Sequence, residues 1–316
     1  MKRLTAIITL FIILVIGGII LWENGLLPVN PKNTTKNIFV VEKGSGLKEV
    51  ATKLETQGFI KSRIVFFLYT RFGKFEGKIQ AGDFRLSPSM DVKEIAENLT
   101  HGTLDIWVTI PEGKRSDEIA DTLQEKIPSF KPVWRTMLRA QEGYLFPDTY
   151  LIPTNATVDQ VISILKNNFY AKIQSINLSL NDPRITKIII IASLIEREAL
   201  RDNEKPIISS VIANRLDAGM SLDIDATLQY IKGKSSGKWW SVPTIEDKKI
   251  NSEYNTYMNV GLPPAPIANP GLEAIKAALN PQKTNYYYYI HDSKGDVHFA
   301  RTLEEHNLNI VRYNVN

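Results

Sequence analysis

The sequence predicts an α+β fold in three parts: an N-terminal transmembrane helix, a small α+β module and a larger mixed α+β domain. Three observations predict it. Residues 4–22 are apolar and carry no charge. Residues 38–102 alternate short strand-like runs, glycine turns and segments with helical spacing. Residues 103–316 contain one stretch, residues 182–200, that is apolar on nearly every side and ends on two acids.

Composition limits the function classes. The 316 residues suffice for two domains and a sizeable core. Hydrophobic content of 43% and charged content of 23% are those of an ordinary globular protein. Net charge is +4, or +2 without Lys2 and Arg3, and no Lys/Arg run appears, so nucleic acid is not an expected partner. The absence of cysteine excludes disulfides, thiolate nucleophiles and Cys metal sites, and it suits a protein outside the cytoplasm. The four histidines, His101, His291, His298 and His306, form no His-x-x-x-His pair, so no metal site is expected.

Residues 4–22 span ~29 Å as a helix, close to a hydrocarbon core of ~30 Å. A cleaved signal peptide would have a shorter apolar run and a small-x-small site after it. Glu23-Asn24-Gly25-Leu26-Leu27-Pro28 offers none, so an uncleaved single-pass anchor is expected. Lys2 and Arg3 place the N-terminus in the cytoplasm and the remainder outside. Residues 23–37 then form a linker.

Within residues 38–102, Phe39-Val40-Val41 reads as a strand and Glu42–Gly46 as a turn. Helices follow over 47–57, 62–72 and 92–99, with a strand at 81–86. Strand, glycine turn and helix recur at 108–110, 111–113 and 116–125, a weak internal repeat. In the second region, Pro147 argues against a helix over 140–152. The aromatics Tyr144, Phe146 and Tyr150 there suit either a carbohydrate platform or a packed loop. Thr157 and Gln160 form a capping box for a helix to about residue 173.

The stretch 182–200, DPRITKIIIIASLIEREAL, follows. Asp182 suits a cap and Pro183 the first helical turn. A helix apolar all round is buried. Glu196 and Glu198 at its mouth are then costly to ionise, and a carboxylic acid still protonated near neutral pH suits general-acid catalysis. The alternative is that the helix surfaces here and both acids are solvated.

A helix over 203–216 ends before Gly219, and residues 222–230 bring Asp223 and Asp225 near these helices. Residues 261–271 hold four prolines and two glycines besides their polar residues, a stiff irregular loop that suits a binding site or a rigid connector. Tyr254-Asn255-Thr256-Tyr257 just before it offers hydroxyls and amides for sugar hydroxyls. A helix over 271–279, a hairpin of 286–290 with 297–300, and a Thr302-capped helix carrying His306 and Asn307 complete the chain. A lone histidine near a chain end reads as structural.

These residues together resemble a known family. Ile191-Ala192-Ser193-Leu194-Ile195-Glu196-Arg197-Glu198, Tyr254-Asn255-Thr256-Tyr257, Gly261-Leu262-Pro263-Pro264, Pro270-Gly271 and Phe299 with His306-Asn307 resemble the endolytic murein transglycosylase family (MltG, YceG-like). Glu142-Gly143-Tyr144-Leu145-Phe146-Pro147-Asp148-Thr149-Tyr150 is similar to another of its segments. Ala226 departs from the pattern, where proline is expected after Asp225. The first module resembles a glycan-binding LysM-like module.

The resemblance implies an enzyme of the cell inner membrane, with its catalytic domain outside, that cuts nascent peptidoglycan glycan strands between N-acetylmuramic acid and N-acetylglucosamine. It would use no water and leave 1,6-anhydro ends. Glu198 is the expected acid/base, with Glu196 supporting it. Tyr254, Asn255, Thr256 and Tyr257 would line the glycan cleft, and Asp225 would fix local structure. Peptidoglycan synthases are implied as partners. No cofactor is implied, and pyridoxal phosphate chemistry lacks a placed Schiff-base lysine. The competing readings are a hydrolase on the same substrate, with Glu196 or Asp225 activating water, and a non-catalytic wall-binding scaffold.

Overall fold

The computed structural model describes residues 2–73, 75, 77–100 and 105–313. It divides into two units, Met1–Trp107 with Leu151–Asn155, and Val108–Tyr150 with Ala156–Asn316. The expected boundary at 102/103 lies outside the described residues.

The first unit begins with α1 (Lys2–Leu26) and continues through β1 (Asn37–Val41), α2 (Leu47–Thr56), α3 (Arg63–Phe72), β2 (Gly82–Leu86) and α4 (Val92–Thr100). The strands pair antiparallel with Phe39 opposite Phe84. Their buried faces join Leu54, Phe66 and Ile95 from the helices in one core. Ser62 caps α3 by accepting the Val65 N–H. The apolar stretch expected to cross a membrane falls partly on side chains outside the described set. Among the described residues no helix is long and apolar enough to cross a membrane.

β3 (Asp105–Thr109) and β4 (Thr149–Pro153) form a second two-stranded sheet, and the division between the units falls within both strands. The second unit holds α5 (Ser116–Lys126), α6 (Trp134–Arg139), α7 (Val158–Ser175), α8 (Ile185–Glu198), α9 (Lys205–Asp217) and α10 (Asp225–Lys232). After a 3₁₀ turn at Glu246–Lys249 come α11 (Leu272–Leu279), the hairpin β5 (Tyr288–His291) with β6 (Val297–Ala300), and α12 (Leu303–Arg312). The expected capping box of Thr157 and Gln160 is formed at α7. Gly219 follows α9 with φ +66°, a conformation glycine adopts without cost.

The central helix α8 packs against α9, α10 and α11. Ile188 through Ile195 are all buried, and each buried isoleucine contributes ~2–3 kcal/mol of hydrophobic stabilisation. The helix starts at Ile185, three residues past the expected cap. Asp182 turns its carboxylate to the Arg184 N–H and guanidinium instead, at 2.8 and 2.7 Å, a local bond that competes with capping.

Candidate active site

The last turn of α8 points three charged residues in three directions, as 100° per residue requires. Glu198 turns toward the hairpin. Its Oε2 accepts the Tyr289 hydroxyl at 2.7 Å. It lines a cleft of about 420 Å³ with Arg215, Asp225, Tyr257, Tyr289 and His306. Burial of the carboxyl pushes its pKa up. The Tyr289 bond opposes the shift, Asp225 adds to it, and His291 and the Ala226 N–H oppose it. The negative end of the α8 dipole works in the same direction as burial. Ala226 is where a proline was expected from the resemblance, and a proline there would lack this N–H.

Asp225 and Tyr257 complete the cleft wall. The Tyr257 hydroxyl donates to Asp225 Oδ1 at 2.6 Å, and burial followed by that bond raises the Tyr257 pKa. Tyr289 is likewise held protonated, by burial first and then by Glu198. The hydroxyl on Glu198 is therefore a donor across the ordinary pH range. His306 stacks on Tyr288 at 5.3 Å, and burial lowers its pKa, so its ring is neutral. The sequence reading left this histidine structural, but it stands in the cleft wall. Tyr289 was not singled out at all. It lay in a run of tyrosines read as a strand, with no sign of which residue it faces.

Glu196 turns the opposite way. Its side chain is only 9% exposed, paired with Lys205 at 3.4 Å, and it accepts the Gly271 N–H at 3.0 Å. A Cβ at Gly271 would meet the Glu112 carboxylate, so a larger residue there would require the Glu112 side chain to move. Burial and then the Glu196 charge raise the Glu112 pKa. Arg197, between the two glutamates, lies over the Trp240 ring at 3.8 Å.

The Tyr254–Tyr257 segment divides in the same manner. Asn255 is fully buried, its amide donating to the Lys248 and Ile250 carbonyls and its Oδ1 accepting the Tyr257 N–H. Thr256 is 1% exposed and accepts the Ile224 N–H. Tyr254 packs against Tyr230 at 5.0 Å. Of the four residues expected to line the glycan cleft, the structure brings Tyr257 there. Thr256 braces the entry to α10, which carries Asp225, and Asn255 ties the loop to the 3₁₀ turn and to Ile250 just after it.

A second polar centre was not anticipated. Glu142 is buried, and its Oε1 accepts from the Ser116 N–H, the Ser116 hydroxyl and the Asn269 amide at 2.9–3.0 Å. Burial raises its pKa to about 7 against those bonds. Asn269 also accepts the Gly143 and Leu145 N–H groups, tying residues 142–145 to the proline-rich loop. Gly143 has φ +88° and lies where a Cβ would strike Pro266, so glycine is required on both counts. Phe146 and Tyr150 are buried nearby, and Tyr144 packs edge-on to Phe169. These aromatics form a packed loop, which settles the choice between platform and loop. Among the described residues, no group of three or more His, Asp or Glu could hold a metal ion.

Comparison with known proteins identifies the family. Residues 39–312 match the model of the YceG-like family. An endolytic murein transglycosylase of Bacillus subtilis is 32% identical over 95% of this chain and 91% of its own length. One of Streptococcus pneumoniae is 29% identical over 92% of this chain, which spans 60% of that relative. A crystal structure of a YceG-like protein from Listeria monocytogenes is 30% identical, covers 87% of this chain and 99% of its own, and superposes with a TM-score of 0.57. With the family model spanning the helix that ends on Glu198, the loop that ends on Tyr257 and the hairpin that carries Tyr289, the chain is a member of the YceG-like family.

Proposed function

We propose that the chain is an endolytic lytic transglycosylase, cleaving the N-acetylmuramic acid–N-acetylglucosamine bond within peptidoglycan strands. The observation that carries this is Glu198: a carboxyl whose pKa burial pushes up, hydrogen-bonded to Tyr289 and lining a cleft. The names of the Bacillus and Streptococcus relatives agree with it.

The chemistry needs one acid. Glu198 donates its proton to the glycosidic oxygen as the bond from that oxygen to the muramyl anomeric carbon breaks. The resulting carboxylate takes the proton of the muramyl 6-hydroxyl as that oxygen bonds to the same carbon. Glu198 ends protonated again, no water is consumed, and an anhydro end forms. Tyr289 steadies the carboxylate between the two transfers, and the Asp225–Tyr257 pair shapes the opposite wall.

Asp225 also supports a second reading, hydrolysis, since a carboxylate in the same cleft would serve to activate water. Mass spectrometry of purified full-length protein acting on uncrosslinked glycan separates the two. Anhydro ends are expected, and reducing ends would establish the hydrolase.

Residues 4–22 are read as a single-pass anchor in the inner membrane, with the N-terminus cytoplasmic. Support comes from their lack of charge and from the unbroken helix Lys2–Leu26. The antiparallel pair β1–β2 with its helices is read as LysM-like, a second glycan contact. An enzyme so tethered would work beside the peptidoglycan synthases. Thiol labelling of single cysteines on either side of residues 4–22 in intact cells tests the topology, with only the C-terminal side expected to react.

A further inference from the structure

We infer that the face between α2 and α3 is a binding site for an anionic phospholipid of the membrane that α1 enters. This rests on the anchor reading above.

The geometry starts at the end of α1. Asn24 accepts a hydrogen bond from the Lys61 ammonium at 3.1 Å, and Gly25 is packed so closely on Val65 that a Cβ would collide with it. Leu26 reaches the first unit's core. The helix is continuous from Lys2, so Gly25 stands only ~4.5 Å along the axis past Trp22. The headgroup layer on each side of the hydrocarbon core is ~5–7 Å thick. With Trp22 at the edge of that core, the N-terminal turn of α3 lies at headgroup depth.

What α3 presents there is suited to lipid. Ile64, next to Val65, is 64% exposed. It opens a cavity of about 290 Å³ whose other walls include Ala51, Phe67, Leu68 and the stems of Lys48 and Arg63. The Lys48 ammonium lies over the Phe67 ring at 5.9 Å. The cations Lys48 and Arg63 line the rim of an apolar floor, and Lys61 is held at the end of α1 by Asn24. The nearby acid, Glu55, is engaged by the Arg63 N–H and guanidinium at 3.0 and 3.7 Å. An apolar slot rimmed by cations at headgroup depth matches the upper acyl chain and phosphate of an anionic lipid. Each such cation near a charged leaflet strengthens binding about fivefold.

The chain has no cysteine, so a single introduced thiol reports alone. The test is full-length I64C, carrying a nitroxide label and reconstituted in bilayers, beside L14C as a marker of the anchor. Ile64 is exposed, so its replacement leaves the core intact. In phosphatidylglycerol bilayers the Ile64 label should be relaxed by oxygen rather than by a water-soluble nickel chelate, as the Leu14 label is. Phosphatidylcholine bilayers, or the added pair K48E and R63E, should return it to the nickel chelate. A Leu14 label in lipid with an Ile64 label reached by nickel in every bilayer overturns the inference while the anchor stands. A Leu14 label reached by nickel removes the anchor reading and the inference with it. An Ile64 label shielded from both reagents, or immobilised on adding glycan strands, assigns the face to a protein or to glycan and overturns the inference.

Discussion

The two sides of the α8 terminus bury carboxylates for different ends. On the loop side, Glu196 and Glu142 are bonded by backbone N–H groups, an ammonium, a serine hydroxyl and an amide that tie separate segments together. On the hairpin side, Glu198 has a tyrosine hydroxyl and an open cleft. Burial alone does not separate them, since both glutamates are largely enclosed. What separates the two is their surroundings: Glu198 lines a space a substrate can enter, whereas Glu196 is paired with the Lys205 ammonium. An acid paired with a cation and a distant backbone N–H fixes the backbone. An acid that lines a cleft can pass a proton.

The sharpest way to break this comparison is to remove each carboxylate in turn. Glu198→Gln should lower glycan cleavage by roughly 10²–10⁴-fold with little change in melting temperature. Release of anhydro ends and a thermal melt measure both. A Glu198→Gln protein with full activity would move the chemistry elsewhere.

Glu142 gives the next effect, on stability. Its folded pKa, about 7, lies above the ordinary value of 4.5, so on raising pH the unfolded chain loses this proton first. The contribution is most favourable below pH 4.5 and falls as pH rises to 7, by about 3 kcal/mol in total. Denaturant unfolding across that range should show the decline, and Glu142→Gln should flatten it relative to the parent.

Glu196→Gln should cost about 1–2 kcal/mol through the Lys205 pair, with the Gly271 N–H still accepted by the amide oxygen. Cleavage by the folded variant should persist, and its loss would join the two sides into one site.

The smallest effects tune Glu198. Tyr289→Phe and Ala226→Pro each remove a donor that favours the charged carboxylate. Each should raise the Glu198 pKa and move the alkaline limb of the pH–rate profile upward, by about one unit or less. A limb that moves down would reverse the assigned roles of these donors.

Much of the fold was legible from local rules. The capping box at Thr157, the glycine after α9 and the hairpin before α12 are short-range patterns that the backbone obeyed. The site was legible in part. Periodicity found the buried helix with its two acids but left open which acid faces a cleft, and family resemblance supplied the preference for Glu198. Tyr254, Asn255, Thr256 and Tyr257 read alike as polar loop residues. Nothing local says that the Asn255 amide closes on the Lys248 and Ile250 carbonyls while the Tyr257 hydroxyl reaches Asp225.

By itself, then, the sequence determined most of the order of elements, α6 and β4 excepted, the apolar rod at the centre of the second unit and the presence of carboxylates at its end. Spacing along a chain sets which residues share a helix face. Only the tertiary structure decided that Tyr289, ninety-one positions downstream, meets Glu198, and that Gly271 and Lys205 meet Glu196. The physical reason is that a proton's affinity depends on surroundings within a few ångströms, and those are set by contacts distant in the chain.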